Sequence, residues 1–92
     1  MEVMIKMNNK VLITVTLPNL NQKFDIFVPV NEVIWKLKKE IILAIQDLYN
    51  INLTYCDYVL MNVDNSNIYR NNTILIETDI RNSSNLILIP IK

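Results

Sequence analysis

The sequence predicts an α+β fold: a mixed sheet of four to five strands with one long helix across one face. Three observations carry this reading. Period-two alternation runs over 10–17 and again over 23–28. One stretch of helical periodicity follows, over about 32–49. Short apolar runs then alternate with turn-forming residues up to a last run at 86–91. Alternation places successive side chains on opposite faces of a strand, whereas recurrence at three and four positions marks one face of a helix.

In the first strand, over 10–17, Val11, Ile13, Val15 and Leu17 alternate with Leu12, Thr14 and Thr16, and β-branched residues abound. Pro18-Asn19-Leu20-Asn21 is turn material. Phe24, Ile26 and Val28 alternate with Asp25 and Phe27 in a second strand over 23–28, and the short connection makes the pair an antiparallel hairpin. Pro29 closes that strand. Asn31 is placed to cap a helix, with Glu32 in its first turn. Ile34, Leu37, Ile41, Ile45 and Leu48 share one helical face, and the helix ends near Asn50. Its apolar arc is wide: Trp35, Ile42 and Tyr49 recur every seventh residue along one flank, and Leu43 lies nearly opposite the stripe.

Residues 51–57 read as a loop carrying Cys56, and Tyr58 to Val63 as a third strand. Asp64-Asn65-Ser66-Asn67 turns the chain into a short fourth strand, Ile68 to Arg70. Leu75 to Ile80 forms a short helical turn, and Leu86 to Ile91 the final strand. The chain contains no glycine, so Asn takes the turn positions that need left-handed backbone. Strand, strand, helix, strand, short strand, strand is the β-grasp order. It sets the first and last strands side by side and parallel in the middle of the sheet. The helix covers one sheet face and leaves the other to solvent or a partner. The 92 residues read as one domain, with 1–9 as a leader.

Composition removes several function classes. Nine basic and nine acidic residues cancel, and the pI is about 6.1, so the electrostatic footprint of a nucleic-acid binder is missing. Lys36, Lys38 and Lys39 form the densest basic cluster but are flanked by Glu32 and Glu40, as on a solvated helix face. No apolar stretch approaches the roughly 20 residues of a membrane span. The start of the chain lacks the apolar region of a secretory signal. Cys56 is the single cysteine, which rules out an internal disulfide, and Asp57 beside it disfavours a thiolate. Histidine is absent, which removes the usual general base and the commonest metal ligand. Glycine-dependent phosphate loops are excluded. The expectation is a cytoplasmic binding protein, not an enzyme, with no cofactor, no metal, no nucleic-acid partner and no membrane insertion.

Two stretches carry a family resemblance. Lys23 to Ile41, KFDIFVPVNEVIWKLKKEI, is similar to the second strand and helix of ubiquitin in the spacing of apolar positions. Leu75 to Leu88, LIETDIRNSSNLIL, is similar to its short helical turn and final strand. Phe24-Asp25-Ile26-Phe27-Val28-Pro29 and Leu75…Ile80-Arg81-Asn82-Ser83-Ser84-Asn85-Leu86-Ile87-Leu88 resemble the YukD/EsaB group more closely. These are small bacterial ubiquitin-like proteins associated with type VII secretion. Ser83-Ser84 departs from that pattern, standing where the group has Gly-Asp. The resemblance implies a non-conjugating accessory or regulatory factor whose partner is a secretion component at the membrane. Ubiquitin and the sulfur carriers act through a Gly-Gly tail, and these 92 residues contain none, which argues against a carrier or modifier. A small β-grasp subunit of a multicomponent enzyme is the alternative.

The last strand is the strongest clue to a binding face, because Leu86, Ile87, Leu88 and Ile89 are apolar on both sides. If Leu86 and Leu88 face the helix, Ile87 and Ile89 face the open side, joined by Leu12 and Phe27 through the same parity. Tyr58 and Leu60 are expected to join them. Burial of each such side chain is worth about 1.5–3 kcal/mol, so a wet cluster of them is unusual for a monomer. The face fits a protein partner, a second copy in a homodimer, or the leader folded over it. The flank Trp35, Ile42 and Tyr49 is the secondary candidate, against its use as cover for the core.

Overall fold

A computed structural model of the chain describes residues 9–50 and 57–91. Its elements are β1 (Lys10–Leu17), a 3-10 turn (Pro18–Leu20), β2 (Gln22–Pro29), α1 (Ile34–Tyr49), β3 (Asp57–Asn62), a second 3-10 turn (Leu75–Glu77) and β4 (Asn85–Ile91). The strand order is β2-β1-β4-β3. β1 is antiparallel to β2 and parallel to β4, and β4 is antiparallel to β3. The leader up to residue 8 and the stretch 51–56 with Cys56 lie outside the described residues.

Alternation sorts the sheet into two faces. Ile13, Val15 and Leu17 of β1, Phe24 and Val28 of β2, Tyr58 and Leu60 of β3, and Leu86 and Leu88 of β4 are buried on one side. They pack against Ile34, Leu37, Ile41 and Ile45 of α1 in a single core cluster. Lys38 is also buried on the helix, and its Nζ donates to the Tyr58 carbonyl at 2.6 Å, tying α1 to the start of β3. This bond meets the rule that a buried polar group needs a partner.

The helix begins two residues later than its sequence signals indicate. It starts at Ile34 after Val33, and no side chain caps it, so Asn31 is not the cap and Glu32 is not in the first turn. The reason is a competing set of backbone partners. The Ile34 and Trp35 N–H groups, which a helix start leaves unsatisfied, donate to the Thr73 and Asn71 carbonyls at 2.9 and 3.1 Å. In return Leu75 and Ile76 donate to the Glu32 and Val30 carbonyls at 2.9 and 2.8 Å. Residues 30–33 are thereby held against 73–76, with a bridge between Val33 and Ile74.

The same commitment removes the expected fourth strand at Ile68–Arg70, which shrinks to one bridge between Met61 and Ile68. Tyr69 N–H still donates to the Leu60 carbonyl at 3.1 Å, but the chain must then leave β3 to reach the helix start. At the other end of α1, Leu48 is on the core stripe yet is 72% exposed, whereas its stripe-mates are at most 2% exposed. In the last helical turn the Leu48 side chain is therefore left uncovered by the sheet.

Among the described residues four non-glycine residues adopt positive φ: Asn21 (52°), Asn50 (52°), Ser66 (63°) and Ser83 (73°). Asparagine fills two of these positions as expected, and serine fills the other two. At Ser83 the geometry serves the centre of the sheet. Ser83 N–H donates to the Leu12 carbonyl at 2.7 Å, and Thr14 N–H donates to the Ser84 carbonyl at 2.9 Å. Asn82 Oδ1 accepts from Leu12 N–H at 2.7 Å. A left-handed Cβ-bearing residue costs about 1–2 kcal/mol, and glycine relieves most of it against its own chain entropy. Ser83→Gly should raise unfolding stability by about 0.5–1 kcal/mol, measured by urea titration.

A side-chain network pins the turn after β3. The Tyr69 hydroxyl donates to Asp79 Oδ1, and Asn65 and Asn67 each donate to Asp79 Oδ2 at 2.8 Å. Asn62 Nδ2 donates to the Tyr69 hydroxyl at 3.2 Å. The bond from Tyr69, then those from Asn67 and Asn65, hold the Asp79 carboxyl below its ordinary value of 3.8. Burial, reinforced by Asp79, pushes the Tyr69 hydroxyl from 10.0 up to about 12. A depressed carboxyl stabilises the fold above its unfolded value and loses that contribution as pH falls. A raised phenol stabilises it below 10.0 and loses that contribution as pH rises toward about 12. The urea midpoint should therefore fall at both extremes, and the difference between wild type and Asp79→Asn should shrink below about pH 3.8.

Candidate protein-binding face

Strand registers place each outward side chain. On the open face Leu12 lies opposite Phe27, Thr14 opposite Asp25, and Thr16 opposite Lys23. Across the centre Thr16 pairs with Ile87. On the far side Ile87 pairs with Met61, and Ile89 with Val59. Ile87 and Ile89 thus turn away from the helix, as their parity requires, and both are half-buried. Leu12 is half-buried too, and Phe27 is 67% exposed.

Two of the six predicted residues belong elsewhere. Tyr58 and Leu60 point into the core and are buried. β3 is apolar on both faces, so its alternation does not reveal its parity. Pairing decides it: Leu60 stands opposite Leu88 and Tyr58 opposite Pro90, on the helix side of β4. Val59 and Met61 take the outward positions, and Ile68, bridged to Met61, lies exposed beside them. The signal for Val59 and Met61 existed only as a conditional one: once β4 parity is assumed, an antiparallel register with β3 selects one of two apolar sets.

The outward residues form two patches, not one. Ile87, Ile89, Val59 and Met61 gather on β4 and β3, while Leu12 and Phe27 pair at the β2 side. Thr14 and Asp25 separate them, and Thr14 Oγ1 donates to Asp25 Oδ1 at 2.8 Å. The larger patch is an apolar surface made of half-buried side chains.

The helix flank is less uniform. Trp35 is 49% exposed and Ile42 half-buried against the core. Tyr49 meets the Phe24 ring edge-on with centroids 5.4 Å apart, which uses one side of its ring within the fold. Between β2 and α1 a groove of about 210 Å³ is lined by Ile26, Val28, Leu37, Ile41 and Ala44, among others. It is smaller than the roughly 300 Å³ at which ligand pockets begin. Among the described residues no three His, Cys, Asp or Glu side chains gather as a metal site. Among the described residues no helix is long and apolar enough to cross a membrane.

No family model and no curated protein matches the chain. Solved structures do. A chain of the MycP5-free ESX-5 inner membrane complex superposes on 91% of this chain with a TM-score of 0.75 and 14% identity; that alignment spans 21% of its own length. The EccD5 ubiquitin-like domain from Mycobacterium xenopi superposes with a TM-score of 0.74 and 11% identity, over 92% of this chain and 98% of that one. A chain of the toluene 4-monooxygenase HD complex gives a TM-score of 0.74 at 4% identity, over 89% and 99%. At such identities the likeness defines the fold: the chain has the ubiquitin-like β-grasp architecture.

The two kinds of outward and inward residue respond differently to substitution. Leu60→Ala should cost about 2–5 kcal/mol of unfolding stability, as a fully buried leucine does. Ile87→Asp should cost about 1 kcal/mol or less. Urea titration of both variants measures the contrast.

Proposed function

We propose that this chain is a non-catalytic, non-conjugating ubiquitin-like binding protein. In this reading its 92 residues act as one cytoplasmic domain, an accessory or regulatory factor of a bacterial type VII secretion system. It docks the patch of Val59, Met61, Ile87 and Ile89 onto a protein component of the secretion machine at the membrane. The observation that carries this is an apolar cluster on a sheet face that the helix does not cover. Removing such side chains from water drives association. Two further supports are the likeness to an EccD5 ubiquitin-like domain and to a chain of an ESX-5 inner membrane complex. The resemblance of Phe24–Pro29 and Leu75–Leu88 to the YukD/EsaB group points the same way.

A second reading has its own support. The chain in the toluene 4-monooxygenase complex matches this one over nearly its whole length, so a small subunit of a multicomponent enzyme is the alternative. The partner separates the two. Crosslinked pull-down from native cells should recover a membrane secretion component, and Ile87→Asp or Ile89→Asp should lower that recovery at least tenfold while far-UV circular dichroism stays unchanged. Recovery of a soluble oxygenase in its place would move the assignment to the enzyme subunit. Recovery that is indifferent to both variants would remove the patch as the interface.

A further inference from the structure

The two edges of the sheet are not equivalent. On β3 the outward backbone groups are taken by the chain itself. The Leu60 carbonyl accepts from Tyr69 N–H, Asn62 N–H donates to the Asn67 carbonyl, and the Tyr58 carbonyl accepts from Lys38 Nζ. On β2, among the described residues, the Pro29 carbonyl at the strand's end accepts from Glu32 N–H at 3.3 Å, and no such bond reaches Lys23, Asp25 or Phe27. Val30 N–H donates to the Asn9 carbonyl at 2.8 Å, on the register that joins β1 to β2. Antiparallel pairs alternate between bonded and non-bonded. Phe24, Ile26 and Val28 therefore bond toward β1, and Lys23, Asp25 and Phe27 turn their N–H and C=O groups to the open edge. Pro29, the next residue of that set, has no N–H and bounds the edge at a position where proline is tolerated.

An open edge is a template for another strand, and the side chains on this one select which. Antiparallel self-pairing of β2 has few registers that keep inner and outer faces matched. Centred on Asp25, it sets two carboxylates opposite each other. Centred on Ile26, it sets Lys23 opposite Pro29, which cannot donate. Centred on Phe24, it sets Lys23 opposite Asp25 twice and satisfies the outward N–H and C=O groups of both residues on both copies. Thr14 already bonds one oxygen of the Asp25 carboxylate, which orients the group on that face.

The overhanging helix end supplies an independent reason for this centre. Tyr49 packs on Phe24, so the last turn of α1 lies over β2, and the adjacent Leu48 is 72% exposed on a stripe that is otherwise buried. A sheet continued beyond β2 near Phe24 brings a second copy to the part of the helix that lacks support. We propose that two copies of this chain pair through their β2 edges, antiparallel about a two-fold axis at Phe24, with Lys23 of each copy opposite Asp25 of the other. This interface is separate from the patch on the outer sheet face, so either can fail without the other.

Sedimentation velocity of the full chain at rising concentration and low salt tests the pairing. Wild type should form a dimer. Lys23→Asp and Asp25→Lys should each weaken it about tenfold or more, because each turns two attractive cross-strand pairs into repulsive ones. The double variant should restore it, a rescue that misfolding cannot mimic, and Lys23→Asp leaves the Thr14–Asp25 bond intact as a control on folding. Ile87→Asp should leave the dimer unchanged. A wild type that stays monomeric throughout would overturn the proposal. So would single variants that dimerise like wild type, a double variant that is not rescued, or a dimer lost with Ile87→Asp.

Discussion

The parallel contact between the first strand and the last is the constraint on which the rest depends. It spans only three residue pairs, Thr14–Asn85, Val15–Leu86 and Thr16–Ile87, yet it joins two hairpin-like halves into one sheet. It is reinforced just before β4 by Ser83 and Ser84, which exchange backbone bonds with Leu12 and Thr14, and by Asn82, whose side chain extends the ladder. A parallel pair needs a long crossover, and here the connection from β1 to β4 runs through β2, α1, β3 and the second 3-10 turn. Because side chains alternate with period two, this contact also decides which apolar residues of β4 face the helix and which face outward. Its strained member, Ser83, occupies left-handed backbone at the position where the resembled group carries glycine.

The crossover is organised by backbone pairing rather than by caps. Residues 30–33 and 73–76 exchange bonds that satisfy the start of α1 and delay it to Ile34. The Tyr69–Asp79–Asn62 network then holds the turn after β3 and brings Tyr69 onto the β3 edge. These two features explain each other. A chain segment that must supply acceptors to the helix start cannot also continue as a strand beside β3, so the expected strand at Ile68–Arg70 is reduced to a bridge.

Function follows from what this scaffold leaves uncovered. With one helix there is enough apolar cover for one sheet face, and the outer face keeps Ile87, Ile89, Val59 and Met61. Among the described residues backbone cover reaches the β3 edge, and Lys23, Asp25 and Phe27 of β2 keep their outward groups. An apolar face and an open edge are different kinds of surface: the first recognises by desolvation, the second by hydrogen-bond register and charge pairing. We assign the first to a partner of another kind and the second to a copy of the chain.

The order of elements, the parity of β1 and β2, and the helical stripe from Ile34 to Ile45 were legible in the sequence, whereas the parity of β4 was legible only as a conditional. Each rests on a local period read against a neighbour of contrasting polarity: Thr14 and Thr16 between valines and isoleucines, and Asp25 between Phe24 and Ile26. Where that contrast fails, local reading fails as well. Tyr58-Val59-Leu60-Met61 is apolar throughout, and only the register with β4 turned Tyr58 and Leu60 inward. The helix start, the missing strand at Ile68–Arg70 and the exposure of Leu48 were likewise decided by distant segments. Sequence alone determined the repeating pattern because period is a property of neighbours along the chain. Tertiary structure decided the outer apolar face and the open edge because both depend on which backbone groups and apolar side chains other described segments had already covered.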